Sequence, residues 1–130
     1  IPEENKNLMK ETEEITKNNN TLNLVFAFNY GSHNEIHNAI LKLHNENINE
    51  NLELNYIEDS FYNFFQYPEA PFPDVLLRTA GEKRISNFLL YQLSYSELIF
   101  IDTLWPDVNE DILDDVLLEF NRRNRTYGRT

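Results

Sequence analysis

The sequence predicts an α/β fold in which helices cover both faces of a mainly parallel sheet. Three short apolar segments, residues 21–29, 74–78 and 97–102, alternate with segments of helical spacing. The first segment is apolar on both faces, which is typical of a strand in a covered parallel sheet. A turn at Gly31 joins it to a helix, and strand, turn and helix in that order begin a crossover unit. We expect residues 1–130 to form a single domain.

Helices are expected on both sides of the first strand. Residues 3–19 are charged and rich in Asn, which predicts a mostly solvated helix. Ser32 is expected to cap a second helix that begins at His33. Residues 57–65 predict a short amphipathic helix before a proline-rich stretch. The second helix has an apolar stripe formed by Ile36, Ile40, Leu41 and Leu43.

The second half of the chain continues the alternation. Gly81 ends the turn after the second apolar segment, and the spacing from Ile85 onward predicts a helix. Asp107 and Glu110 have the spacing of a capping box, which predicts a final helix that extends to about Arg125. Three strands are few, because sheets average about five or six strands. We therefore expect part of the sheet to be missing from this sequence.

Composition excludes several classes of function. The chain contains no cysteine, which excludes a disulfide scaffold, a thiolate metal site and a cysteine nucleophile. It has no apolar run of about 18 residues, so no membrane span is expected. The first residues do not resemble a signal peptide, so we do not expect a secreted protein. The net charge of −11 argues against general binding to nucleic acid.

Positive charge is concentrated in the second half, which contains every arginine. Arg78 ends a predicted strand, at the edge where α/β sheets bind ligands. Arg84 and Ser86 lie at a predicted helix start, where free N–H groups attract phosphate, so the set predicts a diphosphate clamp. Glu97 begins the next strand, where a carboxylate can hold Mg²⁺ that bridges phosphate oxygens. The alternative is that Arg78 pairs with Glu82 and that Glu97 is an ordinary acid.

Two other clusters have ordinary explanations. His33, His37 and His44 share a predicted helix but lack an acidic third ligand, so we interpret them as solvent-facing residues. The basic residues 122–125 lie near the end of the last predicted helix. We interpret Arg122, Arg123 and Arg125 as a complement to the helix dipole, because three bases weigh little against the overall negative charge.

The most distinctive stretch is PDVLLRTAGEKRISNFLLYQLSYSELIFIDTLWPDVNED, residues 73–111. It resembles the carboxyl-terminal signature of the cis-prenyltransferases, the undecaprenyl and dehydrodolichyl diphosphate synthase family. LVFAFNYGSHNEI, residues 24–36, resembles the family's strand-and-helix segment with its Asn-Tyr-Gly turn. PEENKNLMKETEEITKNN, residues 2–19, resembles the helix before that strand. The resemblance covers essentially the whole chain and implies the carboxyl-terminal portion of a cis-prenyltransferase-like fold.

The resemblance also implies a set of site residues. Four residues correspond to positions that contact the diphosphate of isopentenyl diphosphate: Arg78, Arg84, Ile85 and Ser86. Glu97 corresponds to the family's magnesium-linked glutamate, so the resemblance implies Mg²⁺ as the cofactor. Glu82 and Gly128 correspond to further positions of the same site.

The sequence departs from the family pattern at three places. The Asp-Gly-Asn phosphate loop, whose aspartate binds magnesium on the allylic diphosphate, does not occur in these 130 residues. We therefore assign no catalytic residue, and we expect the amino-terminal strand and phosphate loop to be missing and the 130 residues alone to lack turnover. Lys83 stands where many bacterial members have histidine. The family's final Arg-X-Gly aligns with residues 126–128, so only Gly128 is carried over.

The resemblance finally implies an activity and partners for the full-length parent. It condenses isopentenyl diphosphate onto an allylic diphosphate such as farnesyl diphosphate, and makes a long-chain cis-polyprenyl diphosphate for a glycosyl-carrier lipid. Residues 86–105 are expected to form a homodimer or heterodimer contact, with core packing as the alternative. The expected location is the cytoplasm or the face of the endoplasmic reticulum or plasma membrane, reached through the product. The alternative function is a non-catalytic scaffold subunit of a heteromeric cis-prenyltransferase.

Overall fold

The computed structural model describes residues 1–47 and 51–123 and has the predicted α/β architecture with a parallel sheet. The main elements are helices α1 (Glu3–Thr16), α2 (Ser32–Glu46) and α3 (Leu54–Ser60), strands β1 (Val75–Arg78) and β2 (Glu97–Phe100), and helix α4 (Glu110–Arg122). Short 3-10 helices lie at Phe61–Phe64 and Trp105–Asp107. Helix α1 buries no residue, which confirms the prediction of a solvated helix. Throughout the described residues, no helix combines the length and apolar character needed to cross a membrane.

Strands β1 and β2 are parallel neighbours in a two-stranded sheet. Val75 lies opposite Glu97, and Arg78 lies opposite Phe100. Both strands therefore end at the edge that carries Arg78 and begin at the edge that carries Glu97. Because a strand rises about 3.3 Å per residue, the two edges are roughly 10 Å apart.

Residues 21–29 do not form the strand that their alternating pattern predicts. Their side chains are exposed, with Leu22 at 78% and Phe26 at 77% of full exposure. A strand needs a hydrogen-bonded neighbour, and among the described residues β1 and β2 pair only with each other. The alternation correctly indicates an apolar segment. A sheet also requires a neighbouring strand, which the alternation of one segment cannot supply.

Residues 85–96 form consecutive turns instead of the predicted helix. Ser86, Asn87 and Leu89 have φ angles of 53°, 61° and 45°. This left-handed conformation is incompatible with a right-handed helix. The backbone of Asn87 instead bonds to α2, since the Ser32 N–H donates to its carbonyl oxygen at 2.8 Å. Contacts with a distant element therefore override the helical spacing of the sequence.

The caps of α2 and α4 also differ from the predicted ones. Gly31 precedes α2, and Ser32 is its first residue rather than its cap. Asn109 caps α4, because its Oδ1 accepts a hydrogen bond from the backbone N–H three residues later at 3.1 Å. The predicted capping box of Asp107 and Glu110 is wrong, because Asp107 belongs to the preceding 3-10 helix.

The core forms around α2 and a cluster of aromatic rings. The buried stripe of α2 is rotated from the predicted one, so that Ile40 and Leu41 are 50% and 58% exposed. Phe65 and Tyr91 pack with ring centroids 5.0 Å apart, and three further rings surround them. The buried face of α2 consists of Ser32, Glu35, Ala39 and Leu43. The small side chains of Ser32 and Ala39 allow close packing against this face.

Candidate functional site

Arg78 ends β1, and its guanidinium group holds the loop that follows. Nη1 donates one hydrogen bond to the carbonyl oxygen of Arg84 and another, of 3.0 Å, to Ser86 Oγ. We call residues 78–86 the anion loop. The structure therefore brings the predicted residues Arg78, Arg84 and Ser86 together. The alternative pairing of Arg78 with Glu82 is wrong, because the Glu82 carboxylate pairs with Arg84.

The chain after β2 supports the other side of the anion loop. The Ala80 N–H donates to the Thr103 carbonyl oxygen, and the Gly81 N–H donates to the Ile101 carbonyl oxygen, both at 2.9 Å. Gly81 has a φ angle of 68°, and a Cβ atom there would lie 3.1 Å from Asp102 Oδ1. The positive φ angle therefore favours glycine, and a Cβ atom there would also make the Asp102 carboxylate shift slightly. The two strands thus place the loop at the carboxyl edge of the sheet.

Arg84 carries the accessible positive charge of the loop. Its side chain is 63% exposed, and that of its partner Glu82 is 40% exposed. Such a pair contributes only about 0–1 kcal/mol, so an anion can displace the Glu82 carboxylate at little cost. Lys83 is exposed beside it and adds a second cation. The predicted helix start at Ile85 is absent, so helix-terminal N–H groups do not contribute to this site.

Glu97 lies at the opposite edge of the sheet from Arg78. Its Oε2 accepts a hydrogen bond of 2.9 Å from Arg123 Nη1, which also donates to the Leu98 carbonyl oxygen at 3.1 Å. Arg123 Nε donates to Glu119 at 3.0 Å. The hydrogen bonds to Glu97 and Glu119 raise the pKa of Arg123 above its ordinary value. The structure therefore joins Glu97 to the end of α4 and does not bring it to the anion loop.

The described residues do not by themselves fit a Mg²⁺ site at Glu97. Mg²⁺ takes about six oxygen ligands in octahedral geometry. Nowhere in residues 1–47 and 51–123 do three acidic or histidine side chains cluster closely enough to hold a metal. The positive charge of Arg123 also opposes a cation at this carboxylate. The magnesium role of Glu97 therefore stays a prediction, and Gly128 lies outside the described residues.

The apolar residues after the anion loop divide between core and surface. Phe88 packs edge-on against Tyr30 with ring centroids 5.7 Å apart, and Tyr91 belongs to the aromatic cluster. Leu104 and Trp105 are 57% and 72% exposed. Phe88 and Tyr91 therefore make contacts with other rings, although Tyr91 stays 36% exposed, whereas Leu104 and Trp105 form an exposed apolar surface.

The histidines of α2 are all exposed, which confirms their interpretation as solvent-facing residues: His33, His37 and His44. Arg122 lies in the last turn of α4, where it complements the helix dipole. Of the other basic residues near that end, Arg123 binds Glu97, and Arg125 lies outside the described residues.

A buried polar cluster around Glu35 is the main feature that the sequence pattern does not reveal. Glu35 is 3% exposed, and its Oε1 accepts the Gln66 N–H at 3.2 Å. Its Oε2 accepts the Tyr30 hydroxyl and, at 3.0 Å, Gln92 Nε2. Among the described residues Gln92 Oε1 has no partner. The only sequence signal is the position of Glu35 on the same helix face as the small residues of α2.

A cavity of about 420 Å³ lies beside this polar cluster. Tyr30, Glu35 and Gln92 line it, together with mainly apolar side chains such as Val25 and Phe88. Residues of the anion loop do not line it. The concentration of positive charge and the apolar cavity are therefore separate features of the molecule.

The Tyr30 hydroxyl makes stability sensitive to alkaline pH. Burial and the hydrogen bond to Glu35 raise the pKa of Tyr30 from 10.0 to about 12. The Tyr30 hydroxyl keeps its proton in the folded protein over a pH range in which the unfolded chain loses it. Its contribution to the free energy of unfolding is therefore complete below about pH 10 and is lost as the pH rises to about 12. We expect the free energy of unfolding to fall more steeply over this range in the unmodified chain than in Tyr30→Phe. Urea unfolding measures both, and parallel pH profiles would contradict the expectation.

Comparisons with known proteins agree on one family. The model of the undecaprenyl diphosphate synthase family matches residues 1–128. An isoprenyl transferase of Fusobacterium nucleatum is 43% identical over 128 residues, which cover 98% of this chain and 53% of the relative. A relative from Micrococcus luteus is named ditrans,polycis-undecaprenyl-diphosphate synthase ((2E,6E)-farnesyl-diphosphate specific) and is 39% identical over 129 residues. That match covers 98% of this chain and 52% of the relative.

A solved structure is similar over the same extent. Lavandulyl diphosphate synthase from Lavandula x intermedia, in complex with dimethylallyl diphosphate, superposes with a TM-score of 0.90 at 31% identity. The match covers 99% of this chain and 56% of that one. The chain therefore spans about half the length of the relatives that it matches.

Proposed function

The chain belongs to the undecaprenyl diphosphate synthase family, and on that premise we propose that the whole protein is a cis-prenyltransferase. It condenses isopentenyl diphosphate repeatedly onto an allylic diphosphate such as farnesyl diphosphate. The product is a long-chain cis-polyprenyl diphosphate for a glycosyl-carrier lipid. Within this activity, the anion loop binds the diphosphate of isopentenyl diphosphate.

The contact between Arg78 and Ser86 carries the proposal. It places a guanidinium group and a hydroxyl group together at the carboxyl edge of β1, in the same loop as the exposed side chain of Arg84. Guanidinium groups offer forked donors that match phosphate oxygens, and the hydroxyl adds a further donor. The chain as a whole carries a charge of −11, which repels an anion. A local cluster of cations is therefore what a diphosphate requires here.

The anion loop holds and orients the substrate and does not exchange protons with it. In each cycle the double bond of isopentenyl diphosphate attacks the first carbon of the allylic substrate, whose diphosphate leaves. The new bond leaves a positive charge on the third carbon of isopentenyl diphosphate, and loss of a proton from its second carbon restores a double bond. Fixing the diphosphate of isopentenyl diphosphate limits its double bond to one direction of approach, and such orientation lowers the barrier.

Replacing Arg84 with alanine is expected to weaken isopentenyl diphosphate binding by about 2–3 kcal/mol, because a charge-assisted hydrogen bond is lost. Isothermal titration calorimetry measures the change. Glu82→Gln is the matched control, since it removes the carboxylate that competes for Arg84. Its affinity is expected to rise by about two- to fivefold, the size of an exposed ion pair. An unchanged affinity in Arg84→Ala removes that residue from the site.

We also propose that the whole protein uses Mg²⁺. Because Arg123 engages Glu97 and the sheet separates Glu97 from the anion loop, the described residues do not fit this ion, and its protein ligands would come from residues beyond them. We extend the proposal to a homodimer or heterodimer contact through Leu104 and Trp105, because both side chains are exposed and apolar.

Association of the whole protein with the face of a membrane is proposed because its product is long and apolar.

A non-catalytic scaffold subunit is the second candidate, and the Glu97–Arg123 ion pair favours it. In that arrangement the magnesium-linked glutamate of the family serves to hold α4 against the sheet. Co-purification with a separate catalytic subunit would support this candidate. Chain elongation by a homo-oligomer of the whole protein would contradict it.

A further inference from the structure

Asn87 joins the anion loop to the first turn of α2. Its Oδ1 accepts a hydrogen bond from the His33 N–H at 2.9 Å, and its carbonyl oxygen accepts one from the Ser32 N–H at 2.8 Å. Ser32 forms a third bond between the two segments, in which its Oγ accepts a hydrogen bond from the Leu90 N–H at 2.9 Å. Three hydrogen bonds therefore connect two segments that are more than fifty positions apart in the sequence. We call these bonds the Asn87 latch.

The backbone at the latch needs such support. Ser86 and Asn87 have φ angles of 53° and 61°, in a region that residues other than glycine rarely adopt. Two consecutive residues in this conformation persist only when their surroundings hold them there. Ser86 is also the residue whose hydroxyl accepts the hydrogen bond from Arg78. The latch therefore maintains the conformation that directs Ser86 toward Arg78.

Gly31 gives the latch the space that it requires. A Cβ atom at Gly31 would lie 2.9 Å from Asn87 Nδ2, which is too close for real atoms. The φ angle of Gly31 is −155°, an extended conformation that any residue adopts, so space rather than flexibility is what glycine provides here. Asn87 also occupies the N–H groups of Ser32 and His33 at the start of α2, so these two groups are not free to bind an anion.

We propose that Asn87 is a positioning residue for diphosphate binding: the Asn87 latch holds Ser86 and Arg84 where Arg78 and the ligand can reach them. This inference rests on the proposed function, since it assumes that the anion loop binds a diphosphate. Asn87 itself does not touch the ligand. It acts through the conformation of its neighbour Ser86.

Three variants separate this role from a general effect on stability. Asn87→Gly removes the Oδ1 acceptor but tolerates the left-handed backbone. Gly31→Ala leaves Asn87 in the sequence but places a methyl group against its amide. Asn109→Ala is the matched control, because it also removes an Asn Oδ1 that bonds a backbone N–H at a helix start, away from the anion loop. Thermal unfolding of all three shows whether the losses of stability are comparable.

Inorganic pyrophosphate and isopentenyl diphosphate are the probes, titrated calorimetrically into each protein. We expect Asn87→Gly and Gly31→Ala to weaken both ligands by about five- to tenfold, and Asn109→Ala to change them by less than about twofold. If the Asn87 and Gly31 variants bind like the control while Arg84→Ala still loses affinity, the latch has no positioning role and the proposed function survives. If the unmodified chain binds neither probe, the proposed function fails and the inference fails with it.

Discussion

Replacing Arg78 with alanine is expected to weaken isopentenyl diphosphate binding by about 3–4 kcal/mol, or several hundred-fold. Two effects combine in this variant. The diphosphate loses a charged donor, and the carbonyl oxygen of Arg84 and Ser86 Oγ lose the guanidinium that holds them. The anion loop then loses both charge and shape, so the effect exceeds that of Arg84→Ala. Titration calorimetry with the 130-residue chain measures the change.

Two further variants distinguish the site from a simple effect of charge. Arg78→Lys keeps the positive charge but replaces the planar fork with a single point of donation, so it is expected to recover only part of the affinity. Arg122→Ala removes one positive charge from an exposed position at the end of α4. It is expected to leave the affinity nearly unchanged. Equal losses in Arg78→Ala and Arg122→Ala would mean that Arg78 acts only through the overall charge.

Replacing Glu35 with alanine is expected to lower the free energy of unfolding by about 3 kcal/mol. The carboxylate is buried and accepts from the Tyr30 hydroxyl, the Gln92 side chain and the Gln66 N–H. Its removal leaves the buried Gln92 amide and the half-buried Tyr30 hydroxyl without an acceptor, and each unsatisfied group costs about 1–3 kcal/mol unless it relaxes toward water. Urea unfolding monitored by circular dichroism measures the loss.

A second acidic residue of α2 provides the control for this variant. Glu46 is exposed at the carboxyl end of the same helix, where an acidic side chain is not favoured by the helix dipole. Glu46→Ala is therefore expected to change stability by less than about 0.5 kcal/mol. A Glu35→Ala protein as stable as Glu46→Ala would show that the buried cluster does not stabilise the fold.

Local pattern was sufficient to predict the elements that are formed by short-range signals. Strands β1 and β2 lie within the predicted segments 74–78 and 97–102, because proline, glycine and short apolar runs mark their ends. Residues 21–29 have a similar pattern and form no strand, since a strand also needs a partner. Residues 85–96 have helical spacing and form turns, because Asn87 bonds to the distant start of α2.

The candidate site was predictable to a similar degree. The order of strand, glycine turn and basic residues places Arg78, Arg84 and Ser86 together, and the structure confirms that proximity. The separation of Glu97 from Arg78 follows from the parallel sheet itself, since the first residue of one strand cannot lie at the carboxyl edge of its neighbour. The contact between Glu97 and Arg123 depends on how α4 packs, which spacing along the chain does not reveal.

The position of bound isopentenyl diphosphate decides whether the anion loop is the diphosphate site. A crystal structure of the chain grown with this ligand is expected to show diphosphate oxygens about 3 Å from the guanidinium groups of Arg78 and Arg84 and from Ser86 Oγ. The Glu82 carboxylate is expected to have moved away from Arg84. A ligand bound in the cavity beside Glu35, or against the exposed histidines of α2, would contradict the assignment of the anion loop as the diphosphate site.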